Sequence, residues 1–180
     1  MGQFKGEFIM ANVGIFCGTA GGTSMSIAKA LAKEYDVEEI INMEDDFDGI
    51  DQFEEFDVLF IGSSTWGQGD VHHSWVDPIL EMESEGIDLS GKTVAFFGAG
   101  DSVKHGEHFC SALGKLYKAF TKAGAKAVGF VDASDYKYEF SLAEMDGKLC
   151  GLAIDDHNEK SKTKSRIKNW IEILNEEIDL

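Results

Sequence analysis

Strand-type runs alternate along this chain with longer segments whose apolar residues return every three or four positions. The runs are Val13–Cys17, Glu39–Asn42, Val58–Gly62, Thr93–Gly98 and Ala127–Phe130. Helical periodicity marks Ser24–Tyr35, Ser74–Glu83, His105–Ala123 and Lys162–Glu177, with a shorter segment near Asp48–Phe53. Val58-Leu59-Phe60-Ile61 and Val94-Ala95-Phe96-Phe97 are apolar on both faces, as strands of a parallel sheet covered by helices must be. Five such units predict an α/β fold, a doubly wound five-stranded parallel sheet with helices on both faces. The last unit is irregular, because residues 131–148 separate Phe130 from another strand-like run, Leu149–Ile154. An insertion that splits the fifth strand accounts for this better than a sixth strand. Doubly wound sheets bind ligands beyond the C-terminal ends of their strands, so the loops there hold the candidate chemistry.

The first of these loops follows Val13–Cys17 and reads Gly18-Thr19-Ala20-Gly21-Gly22-Thr23-Ser24. Glycines let successive backbone N–H groups converge, and the helix that starts at once adds the positive end of its dipole. Thr19, Thr23 and Ser24 add hydroxyl donors, while no Lys or Arg lies between Val13 and Ala28. The loop therefore reads as a phosphate cradle of neutral donors. Nucleotide hydrolysis is disfavoured, since Gly22 is not followed by the Lys-Ser/Thr pair that such loops use. The glycine spacing also misses the dinucleotide pattern, which leaves a single terminal phosphate.

Strand three ends in Gly62-Ser63-Ser64-Thr65-Trp66-Gly67-Gln68-Gly69-Asp70, and strand four in Gly98-Ala99-Gly100-Asp101, followed by residues 102–110. Each pairs glycines with a flat side chain, Trp66 or His105. A tryptophan at the tip of a glycine-rich loop is badly placed for a core and well placed to stack on a planar ligand.

Composition limits the partners. The formal charge of −17 argues against nucleic acid, whose phosphates need Lys and Arg. Acidic residues crowd Glu38–Glu55, and two readings stand: solubility, or attraction of basic partner proteins. A 43% hydrophobic content over 180 residues suffices for one buried core, and no Pro/Gly/Ser-rich linker divides it. Residues 1–10 read as a short N-terminal extension, native or added, and 11–180 as a single domain. No run has membrane-spanning length, and no basic-then-apolar leader is visible. Cys17, Cys110 and Cys150 are odd in number and far apart, as expected for reduced, buried thiols in a cytoplasmic protein. His72-His73 are consecutive and His105/His108 are three apart, but neither pair has a third ligand at suitable spacing, so no metal site is expected.

Taken in order, these motifs resemble the flavodoxin family in its long-chain form, from about Ala11 to the last helix. The matching features are the hydroxyl/glycine loop Thr19–Ser24, Thr65-Trp66, Gly98-x-Gly100-Asp101, and the insertion containing Tyr136-Lys137-Tyr138-Glu139-Phe140. The resemblance implies strand order 2-1-3-4-5, FMN as cofactor, and low-potential one-electron transfer between redox partner proteins with basic docking surfaces, by a cytoplasmic monomer. It further implies that Thr19, Ala20, Gly21, Gly22, Thr23 and Ser24 hold the phosphate. Ser64, Thr65, Trp66, Gly67 and Gly69 would meet the flavin on one side, and Gly98, Ala99, Gly100, Asp101, His105, His108, Phe109 and Cys110 on the other. Two departures stand out: Gly21-Gly22 where the family usually has Thr-Gly, and His105 where it usually has tyrosine. An FMN-dependent NAD(P)H:quinone reductase of the same fold is the alternative reading.

Overall fold

The computed structural model describes residues 11–19 and 22–180. The extension 1–10 and two members of the phosphate loop, Ala20 and Gly21, lie outside the described residues. In chain order the elements are β1 (Val13–Gly18), α1 (Thr23–Glu34), β2 (Ile41–Asn42), β3 (Val58–Ser63), the hairpin β4 (Thr65–Trp66) and β5 (Asp70–Val71), α2 (Val76–Ser84) and β6 (Thr93–Ala99). They continue with α3 (Ser111–Lys122), β7 (Lys126–Val128), β8 (Val131–Asp132), β9 (Glu144–Met145), β10 (Lys148–Leu149), β11 (Gly151–Ile154) and α4 (Thr163–Glu177).

The main sheet runs β11-β6-β3-β1-β2, with β7 also paired to β6, and every pairing in it is parallel. Val128 of β7 pairs with Ala95, and Gly151 of β11 pairs with Phe96, the next residue of β6. The two segments are thus consecutive halves of one fifth strand, and residues 129–150 leave and return between adjacent rungs. That is the 2-1-3-4-5 order with a split fifth strand. The excursion forms its own antiparallel sheet, β8-β10-β9. The run Leu149–Ile154 is therefore divided, with Leu149 in the small sheet and Gly151–Ile154 in the main one.

Alternation along the strands sends side chains to two cores. Ile15, Cys17, Phe60 and Phe97 pack with Trp170 of α4 and Ile27 of α1. Phe16, Ile61 and Phe96 pack on the opposite face with Phe53, Trp75 and Phe120. Both faces are buried, which is why these strands carry no polar alternation.

Two elements differ from the sequence expectation. The segment near Asp48–Phe53 is a 3-10 turn at Ile50–Glu55. The long helix starts at Ser111 rather than His105, because Cys110 adopts a left-handed conformation (φ 48°, ψ 28°) that a right-handed helix cannot contain. Among the described residues, no helix is long and apolar enough to cross a membrane.

Candidate functional site

A cavity of about 290 Å3 opens at the C-terminal edge of the sheet, lined by residues of four separate loops. Thr23 lies at its α1 end, Ser64, Thr65, Trp66 and Gly67 come from the β3–β4 region, and Ala99, Gly100, Asp101, Lys104 and His105 follow β6. The volume is at the lower edge of the roughly 300–1,000 Å3 usual for small-ligand sites, so an occupant would stay partly exposed.

At the α1 end, Gly22 holds φ 85° and the helix has no side-chain cap. Among the described residues no side chain caps its first-turn N–H groups, and a helix N-terminus offers such groups most readily to an anion. Ser24 is 1% exposed, and its Oγ has no hydrogen-bond partner among the described residues. A buried hydroxyl without a partner is costly unless a ligand completes it. That orphaned atom fits a bound phosphate. Thr19 is buried at the end of β1. Thr23 is committed otherwise here, its Oγ1 donating to Asp156 Oδ2 at 2.8 Å.

Trp66 and His105 line the same cavity, both exposed. Trp66 is 51% exposed and is steadied by one hydrogen bond, from its indole N–H to Ser64 Oγ at 2.8 Å. The loop after β6 is much more strongly tied. The Asp101 carboxylate accepts from the Val103 and Lys104 amides at 3.1 and 2.9 Å and from Asn158 Nδ2 at 2.8 Å. Buried Asp155 accepts from Ser102 N and Oγ at 3.1 and 2.5 Å and from the Asn158 amide at 3.1 Å. Burial works against ionisation of Asp101, but the hydrogen bonds from Lys104, Asn158 and Val103 and the nearby His157 outweigh it and hold the carboxyl below its usual range.

Several anticipated residues lie elsewhere. Gly98 does not line the cavity: a Cβ there would sit 2.2 Å from the Ser63 carbonyl oxygen, so its smallness serves strand packing. Gly69 is buried against Ser111, whose Cβ a side chain at 69 would meet at 2.9 Å. His108, Phe109 and Cys110 border a small crevice that shares Thr65, Gly67, Gly100, Asp101 and His105 with the cavity lining. Phe109 points into the inserted lobe, stacked on Tyr138 at 5.4 Å, and burial pushes the Cys110 thiol far up. Lys104, Asp156 and His157 line the cavity without having been anticipated. The last two directly follow β11, so the strand-end rule that selected the other loops applies to them equally.

Comparison with known proteins agrees with this architecture. The flavodoxin family profile matches residues 15–170. Flavodoxin 1 of Azotobacter vinelandii is 46% identical over 170 residues, covering 93% of this chain and 98% of that protein. Flavodoxin 1 of Escherichia coli is 34% identical, covering 95% and 97%. The crystal structure of Fusobacterium nucleatum flavodoxin bound to flavin mononucleotide superposes with a TM-score of 0.84 at 30% identity, covering 94% of this chain and all of that one. With its split fifth strand, its phosphate-type loop and a profile match over most of its length, this chain belongs to the flavodoxin family.

Proposed function

We propose that this protein is a low-potential one-electron carrier that works with non-covalently bound FMN, and that it is not an enzyme in its own right. The observation that carries this reading is the cavity that places Trp66 and His105 beside the uncapped, hydroxyl-bearing start of α1. FMN, when bound, supplies a ring system that takes up and releases electrons singly. The chain's own residues bind, orient and shield. Thr19, Ala20, Gly21, Gly22, Thr23 and Ser24 hold the phosphate through amides and hydroxyls, and Thr23 exchanges Asp156 for it. Ser64, Thr65, Trp66 and Gly67 form one side of the ring site, and Ala99, Gly100, Asp101 and His105 the other. His108, Phe109 and Cys110 meet the ring's edge beside His105, and Gly69 and Gly98 let the backbones of those two loops approach it.

Residues 11–180 form the single working domain, a cytoplasmic monomer that exchanges electrons with redox partner proteins. The charge of −17 favours partners with basic docking surfaces, for which long-range attraction speeds encounter. Partner association should therefore slow as ionic strength rises, because the Debye length shrinks to about 3 Å at 1 M salt.

The deciding experiment is chromatography of the small molecule released on denaturing the yellow, purified protein, coupled to an NAD(P)H oxidation assay. Release of FMN without appreciable NAD(P)H turnover supports the carrier reading. Release of FAD, or a colourless protein that does not take up FMN, overturns it, and rapid NAD(P)H oxidation favours the quinone reductase alternative.

A further inference from the structure

His72 and His73 are neighbours in sequence with no third ligand near them, and the fold supplies one. Glu44 occupies the turn after β2, and its Oε1 lies 3.1 Å from His73 Nε2. One ligand atom from each of Glu44, His72 and His73 falls within 4.8 Å of the other two. We propose that these three residues form a binding site for a divalent transition-metal ion of the imidazole-preferring class, with Zn2+ as its representative.

One ligand is fixed and two can close on it. His72 is buried, and its backbone N–H donates to Ser63 Oγ at 2.9 Å. The Ser74 amide N–H donates to its ring Nδ1 at 3.4 Å, and Ser74 Oγ lies 2.7 Å from the same nitrogen. With the proton on Nδ1, the ring donates to the Ser74 hydroxyl and leaves the Nε2 lone pair open. That is the tautomer a metal at Nε2 would select, and the Ser74 hydroxyl is placed to accept its Nδ1 proton, as outer partners of metal-bound imidazoles do. His73 and Glu44, by contrast, are 70% and 50% exposed in their side chains and touch only at the surface. The Glu44 amide donates to Asn42 Oδ1 at 2.9 Å, which holds the turn that presents the carboxylate.

Zinc bonds of about 2.0–2.2 Å in a tetrahedron set ligand atoms roughly 3.3 Å apart. The Glu44–His73 pair already has that spacing, and the two histidine rings lie 4.1 Å apart between centroids. Two imidazole nitrogens, one carboxylate oxygen and a remaining position for water match Zn2+, Ni2+ or Cu2+. Mg2+ and Ca2+ prefer all-oxygen sets. A simple His73–Glu44 ion pair would explain the 3.1 Å contact but would not require the buried His72 ring to converge on it. The site adjoins the cavity wall, since the Trp66 ring is centred 6.2 Å from that of His72. The proposal does not depend on which cofactor the cavity takes.

The test is calorimetric titration of Zn2+ into chelator-treated, cofactor-bearing protein in excess Mg2+, which occupies sites made only of carboxylates. One equivalent should bind saturably, and Glu44→Gln and His73→Asn, both surface changes, should each weaken binding about tenfold or more. Cu2+ should quench the Trp66 component of fluorescence, identified by its loss in Trp66→Phe, and the Glu44→Gln/His73→Asn double variant should abolish that quenching. Equal Zn2+ binding by wild type and double variant, or no saturable binding by wild type, overturns the site. Full competition by Mg2+ overturns the assigned metal class.

Discussion

The Trp66 side of the cavity and the His105 side are both glycine-rich loops at strand ends, yet they are anchored differently. Residues 64–70 form a two-rung hairpin held by the exposed Trp66–Ser64 bond and Lys115–Asp70 pair at 2.9 Å, by one part-buried bond from the Ala112 amide to Thr65 Oγ1 at 3.3 Å, and by the packing of Gly69 on Ser111. Exposed pairs of that kind contribute at most about 1 kcal/mol. Residues 101–105 are instead tied to the turn after β11 through Asp101, Asn158 and the fully buried Asp155. A buried carboxylate that receives several N–H and O–H donors is expensive to disturb. Stability should therefore reside in the His105 side, and ligand affinity should respond most to the Trp66 side.

Asp155→Ala attacks the pinned side and carries the largest expected effect. It removes the acceptor for Ser102 N, Ser102 Oγ and the Asn158 amide, each a bond to a charged group. Such bonds contribute about 1.5–3 kcal/mol apiece but not additively, so a loss of about 3 kcal/mol is expected in urea denaturation at pH 7. A loss below about 1 kcal/mol would mean that Asp155 does not anchor this wall. Trp66→Ala attacks the other side. Removal of one aromatic stacking partner should weaken FMN binding by about ten- to a hundredfold, measured by fluorescence titration, with the unfolding free energy of the cofactor-free protein within about 0.5 kcal/mol of wild type. Comparable damage to stability from both variants would erase the contrast between the walls.

Much of this layout was legible in the sequence because apolar runs without polar alternation report burial on both faces. The split fifth strand is visible for a related reason: Ala127–Phe130 and Leu149–Ile154 are two short apolar runs separated by residues 131–148. The start of α3 was not. Phe109 and Cys110 continue the helical spacing of apolar residues, but they are apolar because they pack beneath the inserted lobe, and Cys110 breaks the helix backbone. That a side chain at Gly98 would meet the Ser63 carbonyl at 2.2 Å depends on strand register, which no local pattern states. The Thr23–Asp156 and Glu44–His73 contacts join residues far apart in the chain, and no local pattern announces such meetings.

Within the Trp66 hairpin, Gly67→Val separates backbone demand from space. Gly67 has φ +51°, and an added Cβ would meet only Asp70 Oδ2, at 3.3 Å. The cost is therefore mostly conformational, about 1–2 kcal/mol for a side chain held in the left-handed region. Urea denaturation should show that loss, smaller than for Asp155→Ala although Gly67 borders the same cavity. A loss as large as that of Asp155→Ala would show that the hairpin is as firmly built in as the opposite wall.

The smallest expected effect concerns pH and the pinned side. Burial opposes the charge on Asp101, but the amides of Lys104 and Val103 and the Asn158 side chain prevail, and the folded carboxyl stays below its usual range. The unfolded chain, with a value near 3.9, therefore takes up this proton first as pH falls. The Asp101 contribution to stability is accordingly complete above about pH 4 to 5 and is lost as pH drops through the folded value. Many other carboxyls titrate in that window, so the wild-type slope alone is uninformative. Asp101→Asn retains an oxygen acceptor for the three donors and removes the charge. Urea denaturation at several pH values between about 5 and 3 should show wild-type stability falling more steeply than that of Asp101→Asn, with the two curves converging at the acid end. The difference should be modest, since Asp101 keeps contact with solvent at the cavity mouth. Parallel curves across the window would mean that the charge of Asp101 does not help hold this wall, and would leave Asp155 as its main anchor.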